Sequence, residues 1–249
     1  MANQKGGVGK TTTGINLAAS LARAGRRVLL VDLDPQANAT VGSGVSKDGQ
    51  EYSIYDVLVE DCTIKDATVK TEGGYDMVPA NADLAGAQVE LVDEIGRELR
   101  LRKSLQQAGG SYNYVLIDCP PSLNLLTVNA LVAADSVMIP MQCEYFALEG
   151  LSALVRTIRK VRESLNPKLK IEGLLRTMFD RRNSLSSEVS DQLQEHFGDK
   201  VYDTIIPRNV RLAEAPSYGK PAMYYEYNST GAQAYLALAS EIIRREEAA

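Results

Sequence analysis

The run Lys5-Gly6-Gly7-Val8-Gly9-Lys10-Thr11-Thr12, close to the head of the chain, constrains the fold more than any other stretch. Gly6, Gly7 and Gly9 permit backbone dihedrals closed to other residues, so successive N–H groups can turn inward around an anion. The stretch Gly14 to Arg23 then carries the apolar spacing of a helix, whose positive end faces the same anion. A loop of this kind leaves a buried parallel strand and enters a helix, which predicts an α/β protein. The ordinary phosphate loop, G-x-x-x-x-G-K-[ST], needs a glycine where Gln4 stands. Lys5 follows it, so two lysines bracket the glycines.

In such a loop Gly6, Gly7, Val8 and Gly9 supply backbone donors to phosphate oxygens. Lys10 is expected against the β- and γ-phosphates, the Thr11 hydroxyl on Mg²⁺, and Thr12 at the α-phosphate. Lys5 has no task in an ordinary loop and needs its own explanation. Only Met1-Ala2-Asn3-Gln4 precede it, where about four to six apolar residues of a buried strand belong. We therefore expect a first strand truncated at its start, with the true start upstream of Met1.

With 249 residues, 45% of them hydrophobic, the chain can bury a full core, and a single domain over 1–249 is expected. It has no run of about 18 apolar residues to span a membrane and no apolar segment of a signal peptide. Three cysteines without a C-x-x-C pairing point to a reducing cytoplasm and to core packing. A net charge of −5 argues mildly against wholesale nucleic-acid binding and leaves room for a local basic patch.

Strand-like and helix-like segments alternate, the pattern of a three-layer sandwich with a mostly parallel sheet covered by helices on both faces. Strands are expected at Val28–Asp34, Tyr75–Pro79, Tyr114–Asp118, Ser136–Pro140, Ile171–Met178 and Val201–Pro207. Helices are expected at Ile15–Ala24, Leu84–Gln107, Leu123–Ala134, Ala147–Leu165, Ser186–Phe197 and Gly231–Arg245.

Two of these strands end in acid: Asp32-Leu33-Asp34-Pro35-Gln36, and Leu116-Ile117-Asp118-Cys119-Pro120-Pro121. Ligands of a parallel sheet lie beyond the carboxyl ends of its strands, so these aspartates point toward the phosphate loop. Asp118 is expected to hold Mg²⁺ through a water, and the rigid Pro120-Pro121 pair to start a loop that responds to the γ-phosphate. Transfer of a phosphoryl group to water needs a positioned nucleophile and charge neutralisation. Asp34 is our candidate to orient the water, Lys10 to neutralise charge on one side, and Lys5 to supply the extra cation.

Lys5–Thr12, Val31–Gln36, Leu116–Ser122, Gln142–Gly150 and Ile206–Leu212 together resemble the ParA/Soj family of chromosome- and plasmid-partitioning ATPases, over essentially the whole chain. The resemblance implies ATP and Mg²⁺ as ligands and a homodimer formed on ATP, in which Lys5 contacts the nucleotide of the opposite subunit. It implies that this dimer binds double-stranded DNA without sequence preference, on the nucleoid. It implies a ParB/Spo0J-type centromere-binding partner that stimulates hydrolysis. Asp34 matches the family's catalytic aspartate, Asp118 its metal-site aspartate, and the segment with Pro207 and Asn209 its adenine cradle. Arg182 and Arg211 match its DNA-binding arginines.

Further basic residues, Arg181, Arg208 and the Arg156, Arg159, Lys160 and Arg162 side of a helix, could join that surface. Without interleaved aromatics, backbone binding is expected. The bland reading of each cluster is a solvated face. The rival readings are a cargo- or division-site-positioning ATPase, MinD-like or an orphan relative, and an iron–sulfur reductase of the nitrogenase iron-protein kind. MinD ends in a basic amphipathic helix that inserts in lipid, whereas this chain ends in an acidic tip, and no cysteine here has the glycine neighbour of a cluster ligand. His196 reads as a partner of a helix end. Tyr224, Tyr225 and Tyr227 are assigned no chemistry.

Overall fold

The computed structural model describes residues 1–145 and 147–248. Phe146, inside the Gln142–Gly150 motif, lies outside the described residues. In chain order the strands are β1 (Val28–Asp32), β2 (Val69–Lys70), β3 (Asp76–Val78), β4 (Tyr114–Asp118), β5 (Ser136–Met141) and β6 (Lys170–Arg176). The helices are α1 (Lys10–Arg23), α2 (Asn38–Gly42), α3 (Ile54–Leu58), α4 (Leu84–Glu90), α5 (Arg100–Ala108), α6 (Leu125–Ala133), α7 (Ala147–Ser164), α8 (Ser184–Phe197), α9 (Val210–Glu214), α10 (Ala222–Tyr225) and α11 (Thr230–Glu247).

β1 is buried along its whole length because both of its faces are covered. Val28 and Leu30 join the core formed with α1 and α11, while Leu29 and Val31 join the core formed with α3 to α6. Each of these side chains contributes about 1.5–3 kcal/mol on burial. β1 pairs in parallel with β3 and β4, and β2 adds an antiparallel edge. β5 and β6 form a second parallel pair, with α7 and α8 in their core. The fold is therefore α/β, with a mostly parallel sheet between helical layers.

Between β4 and β5 runs the head of the chain. The Met1 amino group donates to Ile117 O at 2.6 Å, Ala2 N to Met138 O at 3.2 Å, and Asn3 Nδ2 to Pro140 O at 2.8 Å. Behind Met1 a cavity of 1100 Å³ continues between the two strands, lined by Leu17, Leu21, Leu116, Val137 and Ile242 among others. Met1–Asn3 hold the P-loop at the carboxyl edge of the sheet without forming a regular strand.

Two expected elements differ. Val201–Pro207 is not a strand; it makes isolated bridges from Val201 to Leu174 and from Pro207 to Phe179. Side chains take the backbone groups a ladder would use: Arg176 donates to Tyr202 O, and Glu241 accepts from Asp203 N and Thr204 N. The expected helix Leu84–Gln107 breaks after Glu90 and resumes at Arg100, with Gly96 at φ 76° between. That left-handed dihedral cannot continue an α-helix.

Candidate functional site

The P-loop turns where its glycines permit. Gly7 and Gly9 have φ of 73° and 83°, a region that suits glycine, and Gly9 then caps α1. The helix starts at Lys10 itself, earlier than its apolar spacing suggests, so the loop runs straight into a helix N-terminus. Thr177, just past β6, donates its hydroxyl to Val8 O at 2.8 Å and braces the loop from the other side.

Lys10 is 7% exposed, and its ammonium donates to Lys5 O at 3.2 Å. Burial lowers its pKa, opposed by Asp118 and Asp34. Lys10 has no ion pair among the described residues, and a phosphate would supply one. Thr11 Oγ1 donates to Asp118 Oδ2 at 2.7 Å, while Asp118 Oδ1 is buried with no hydrogen-bond partner among the described residues. Burial pushes the Asp118 carboxyl above its usual value, while Thr11 and Lys10 pull it back. An orphaned buried carboxylate oxygen beside a threonine hydroxyl fits a magnesium ion and its bound water. Thr12, half-buried, gives its carbonyl to Asn16 Nδ2.

Asp34 follows β1 at the same edge. Its backbone N–H donates to Asp32 Oδ1 at 3.2 Å, and its own Oδ1 accepts from Gln36 N at 3.0 Å. Asp32 and Asp118 are register partners on adjacent strands, both fully buried. Burial first, and the neighbouring Asp118 second, push the Asp32 carboxyl up, against hydrogen bonds from Thr40 and Asp34. Lys5 pairs with Glu144, three residues past the end of β5.

Past Thr177 the same edge continues to Phe179, which bridges to Pro207. Asn209 caps α9 by accepting from Arg211 N at 2.9 Å and donates to Thr230 Oγ1 at 2.8 Å. Arg182, with its side chain 90% exposed, pairs with Asp180, whose carboxyl it holds down at about 2. Arg181, Arg182 and Arg208 line one cavity of 610 Å³; Arg211 lies outside that lining, tied to Glu214 at 2.7 Å. The basic residues thus divide, with Arg182 grouped with Arg181 and Arg208.

Sequence reasoning missed Thr40, Glu144 and Thr177. Glu144 and Thr177 act through partners distant in the chain, and Thr40 through Asp32 eight positions before it, a spacing that no motif marks. The apolar side of α11, with Tyr235, Leu238, Ala239 and Ile242, packs into the α1 core. No helix among the described residues is long and apolar enough to cross a membrane.

A glycine loop entering a helix, with a strand-borne aspartate bonded to its threonine, defines the class of P-loop nucleotide-binding proteins. A family model described as an AAA domain matches residues 1–171. The chromosome partitioning protein ParA of Caulobacter vibrioides is 57% identical, over 99% of this chain and 93% of its own. The sporulation initiation inhibitor protein Soj of Bacillus subtilis is 55% identical, over 96% of this chain and 95% of its own. Among solved structures, cobyrinic acid a,c-diamide synthase from Mycobacterium smegmatis, with an ATP analog and magnesium bound, superposes with a TM-score of 0.87 at 40% identity, covering 99% of this chain and 93% of that one. The chain belongs to the ParA/Soj family of chromosome-partitioning P-loop ATPases.

Proposed function

We propose that this protein is an ATP-driven DNA-segregation switch, which dimerises on ATP, binds DNA without sequence preference, and releases it on hydrolysis. The observation that carries the reading is the group of buried Lys10 and Asp118 with half-buried Thr11, in which one Asp118 carboxylate oxygen is unpartnered, set beside Asp34. Gly6, Gly7, Val8 and Gly9 bind phosphate oxygens through backbone N–H groups, Lys10 binds the β- and γ-phosphates, and Thr12 the α-phosphate. Thr11, and Asp118 through a water, would hold Mg²⁺, which would neutralise charge on the phosphates. Asp34 orients the attacking water. Pro207 and Asn209 line the adenine side. Lys5 leaves Glu144 and crosses to the nucleotide of a second copy, adding the remaining cation.

Arg182 and Arg211 contact DNA phosphates in the dimer, where two copies double the charge on one surface. A centromere-binding protein of the ParB/Spo0J type stimulates hydrolysis. The relatives named for partitioning support this cycle over a division-site or orphan-cargo role. We take the chain to act as one domain on the nucleoid.

The test is binding of the Asp34→Ala protein to nonspecific duplex DNA, with ATP against ADP, across a salt series. Binding that needs ATP and weakens with salt is expected. ATP-driven dimers that ignore DNA would overturn the segregation reading in favour of a positioning ATPase that uses another surface.

A further inference from the structure

We propose that Asp32 is a positioning residue for hydrolysis: its carboxylate clamps both ends of the segment that carries Asp34 and ties that segment to the chain leaving β3. The inference rests on the reading of Asp34 as the residue that orients the attacking water.

Asp32 closes β1 at a site with no exposure at all, opposite Asp118, another buried acid. An apolar side chain would suit such a strand position better, because a buried carboxylate beside a like charge is costly unless it is hydrogen-bonded. No ion pair compensates Asp32 among the described residues. What it has is a full set of donors. Oδ1 accepts the Asp34 N–H at 3.2 Å, and Oδ2 accepts both the backbone N–H and the hydroxyl of Thr40, each at 2.8 Å.

One carboxylate therefore holds the first and the last residue of Asp34–Thr40. Between them the chain turns through Ala37, whose φ of 56° is unusual for a residue with a side chain. A segment that includes such a residue needs outside restraint to keep one shape. The Thr40 hydroxyl, having donated to Asp32, accepts from Ala80 N at 2.9 Å. Three parts of the chain (the end of β1, the start of α2 and the exit from β3) thus converge through Asp32 and Thr40. Asp32 touches no reacting atom in this scheme; it acts by fixing where Asp34 stands.

The test uses Asp32→Asn, which keeps the volume but sets an amide N–H₂ against N–H and O–H donors. Thr40→Val and Thr40→Ser serve as a second pair that does not depend on the folding of Asp32→Asn. Nucleotide affinity is read with a fluorescent ATP analogue, turnover with duplex DNA present, and the Thr40 and Ala80 amides by hydrogen exchange. In Asp32→Asn we expect kcat to fall on the order of 100-fold, as for a displaced reacting geometry. KM and analogue affinity should stay within about three-fold. The Thr40 and Ala80 amides should exchange faster, while the amides of residues 6–10 should not. Thr40→Val should lower kcat in the same way and Thr40→Ser should restore it.

Asp32→Asn or Thr40→Val with wild-type kcat, or amides at Thr40 and Ala80 that exchange as in the wild type, would overturn the proposal. So would a parallel loss of kcat and nucleotide affinity, which marks general damage to the site. Turnover that is unchanged by Asp34→Ala would overturn the reading of Asp34 on which the proposal rests, and that variant, measured alongside, tells this failure apart from the other outcomes.

Discussion

The ammonium of Lys5 is held by the carboxylate of Glu144, 139 positions further along the same chain. Asn3 reinforces the arrangement, accepting from Lys5 N and donating to Pro140 O. The lysine assigned to a second copy's nucleotide is thus occupied within its own subunit, and dimerisation must exchange one anionic partner for another. Both side chains are about half exposed, at 45% and 50%, and such pairs contribute up to about 1 kcal/mol. Glu144→Ala should therefore lower the ATP concentration at half-maximal dimerisation by about two- to five-fold, while Lys5→Ala should bind nucleotide and remain monomeric. Analytical ultracentrifugation across an ATP titration reads both. A Lys5→Ala dimer of undiminished stability would remove the cross-subunit role.

Asp34 follows β1, accepting from Gln36 N, and lies outside the Thr11–Asp118 pair. Asp34→Ala should reduce hydrolysis by about 100-fold or more and leave ATP binding intact, so that ATP-bound dimers accumulate. Asp118→Ala should differ, losing the magnesium dependence of ATP binding. Comparing nucleotide affinity with and without Mg²⁺ for the two variants separates them. Equal loss of binding in both would show that the two carboxylates share one task.

How far the sequence carried this picture depends on the range of each interaction. β4 has the expected limits, because an apolar run closed by aspartate and two prolines is a local signal. α1 starts five residues before the expected Ile15, since Lys10 to Gly14 carry little apolar period. α2, α9 and α10 have only five, five and four residues, too few for a period to show. Val201–Pro207 has the composition of a strand, but Arg176 and Glu241 capture its backbone from other elements. That Lys10 and Thr11 lie beside Asp118 was legible because phosphate chemistry imposes a motif. The contacts of Thr177 with Val8 and of Glu144 with Lys5 join residues 169 and 139 positions apart, and nothing local announces them.

Two glycines hold the Asp34 side of the site against the chain before α10. Gly44, two residues past α2, has φ of 78°, and a Cβ there would meet Gly219 O at 2.7 Å. Gly219 has φ of 63°, and its Cβ would lie 2.7 Å from Gly44 Cα. Gly49 shares the left-handed dihedral, at 82°, but faces open space. Alanine at position 49 should cost about 1–2 kcal/mol for the dihedral alone. At position 44 it should cost about 1–3 kcal/mol more, because backbone must move. Thermal unfolding should therefore place Gly44→Ala at least about 2 °C below Gly49→Ala, at about 2–4 °C per kcal/mol for this size. Equal melting temperatures would show that the close approach relaxes without strain.

Glu241 fastens α11 to the segment that failed to become a strand. It is 2% exposed, accepts from Asp203 N at 2.9 Å and Thr204 N at 2.8 Å, and pairs with Arg245 at 2.7 Å. Burial pushes its carboxyl up, but the Thr204 and Asp203 donors and Arg245 outweigh burial and hold it below its ordinary 4.5. A carboxyl held lower in the folded chain than in the unfolded one stabilises the fold above its unfolded pKa. That contribution is lost as pH falls through the lowered folded value. Glu241→Gln keeps the shape but gives up the charge, at about 1–3 kcal/mol for charge-assisted bonds at neutral pH. The difference in unfolding free energy between wild type and Glu241→Gln should be largest near neutral pH and should shrink as pH falls through the lowered folded pKa. Denaturant titrations at intervals of pH measure it. A difference that stays constant down to acid would mean that the side chain stabilises by packing alone, and that its charge contributes nothing to the hold on α11.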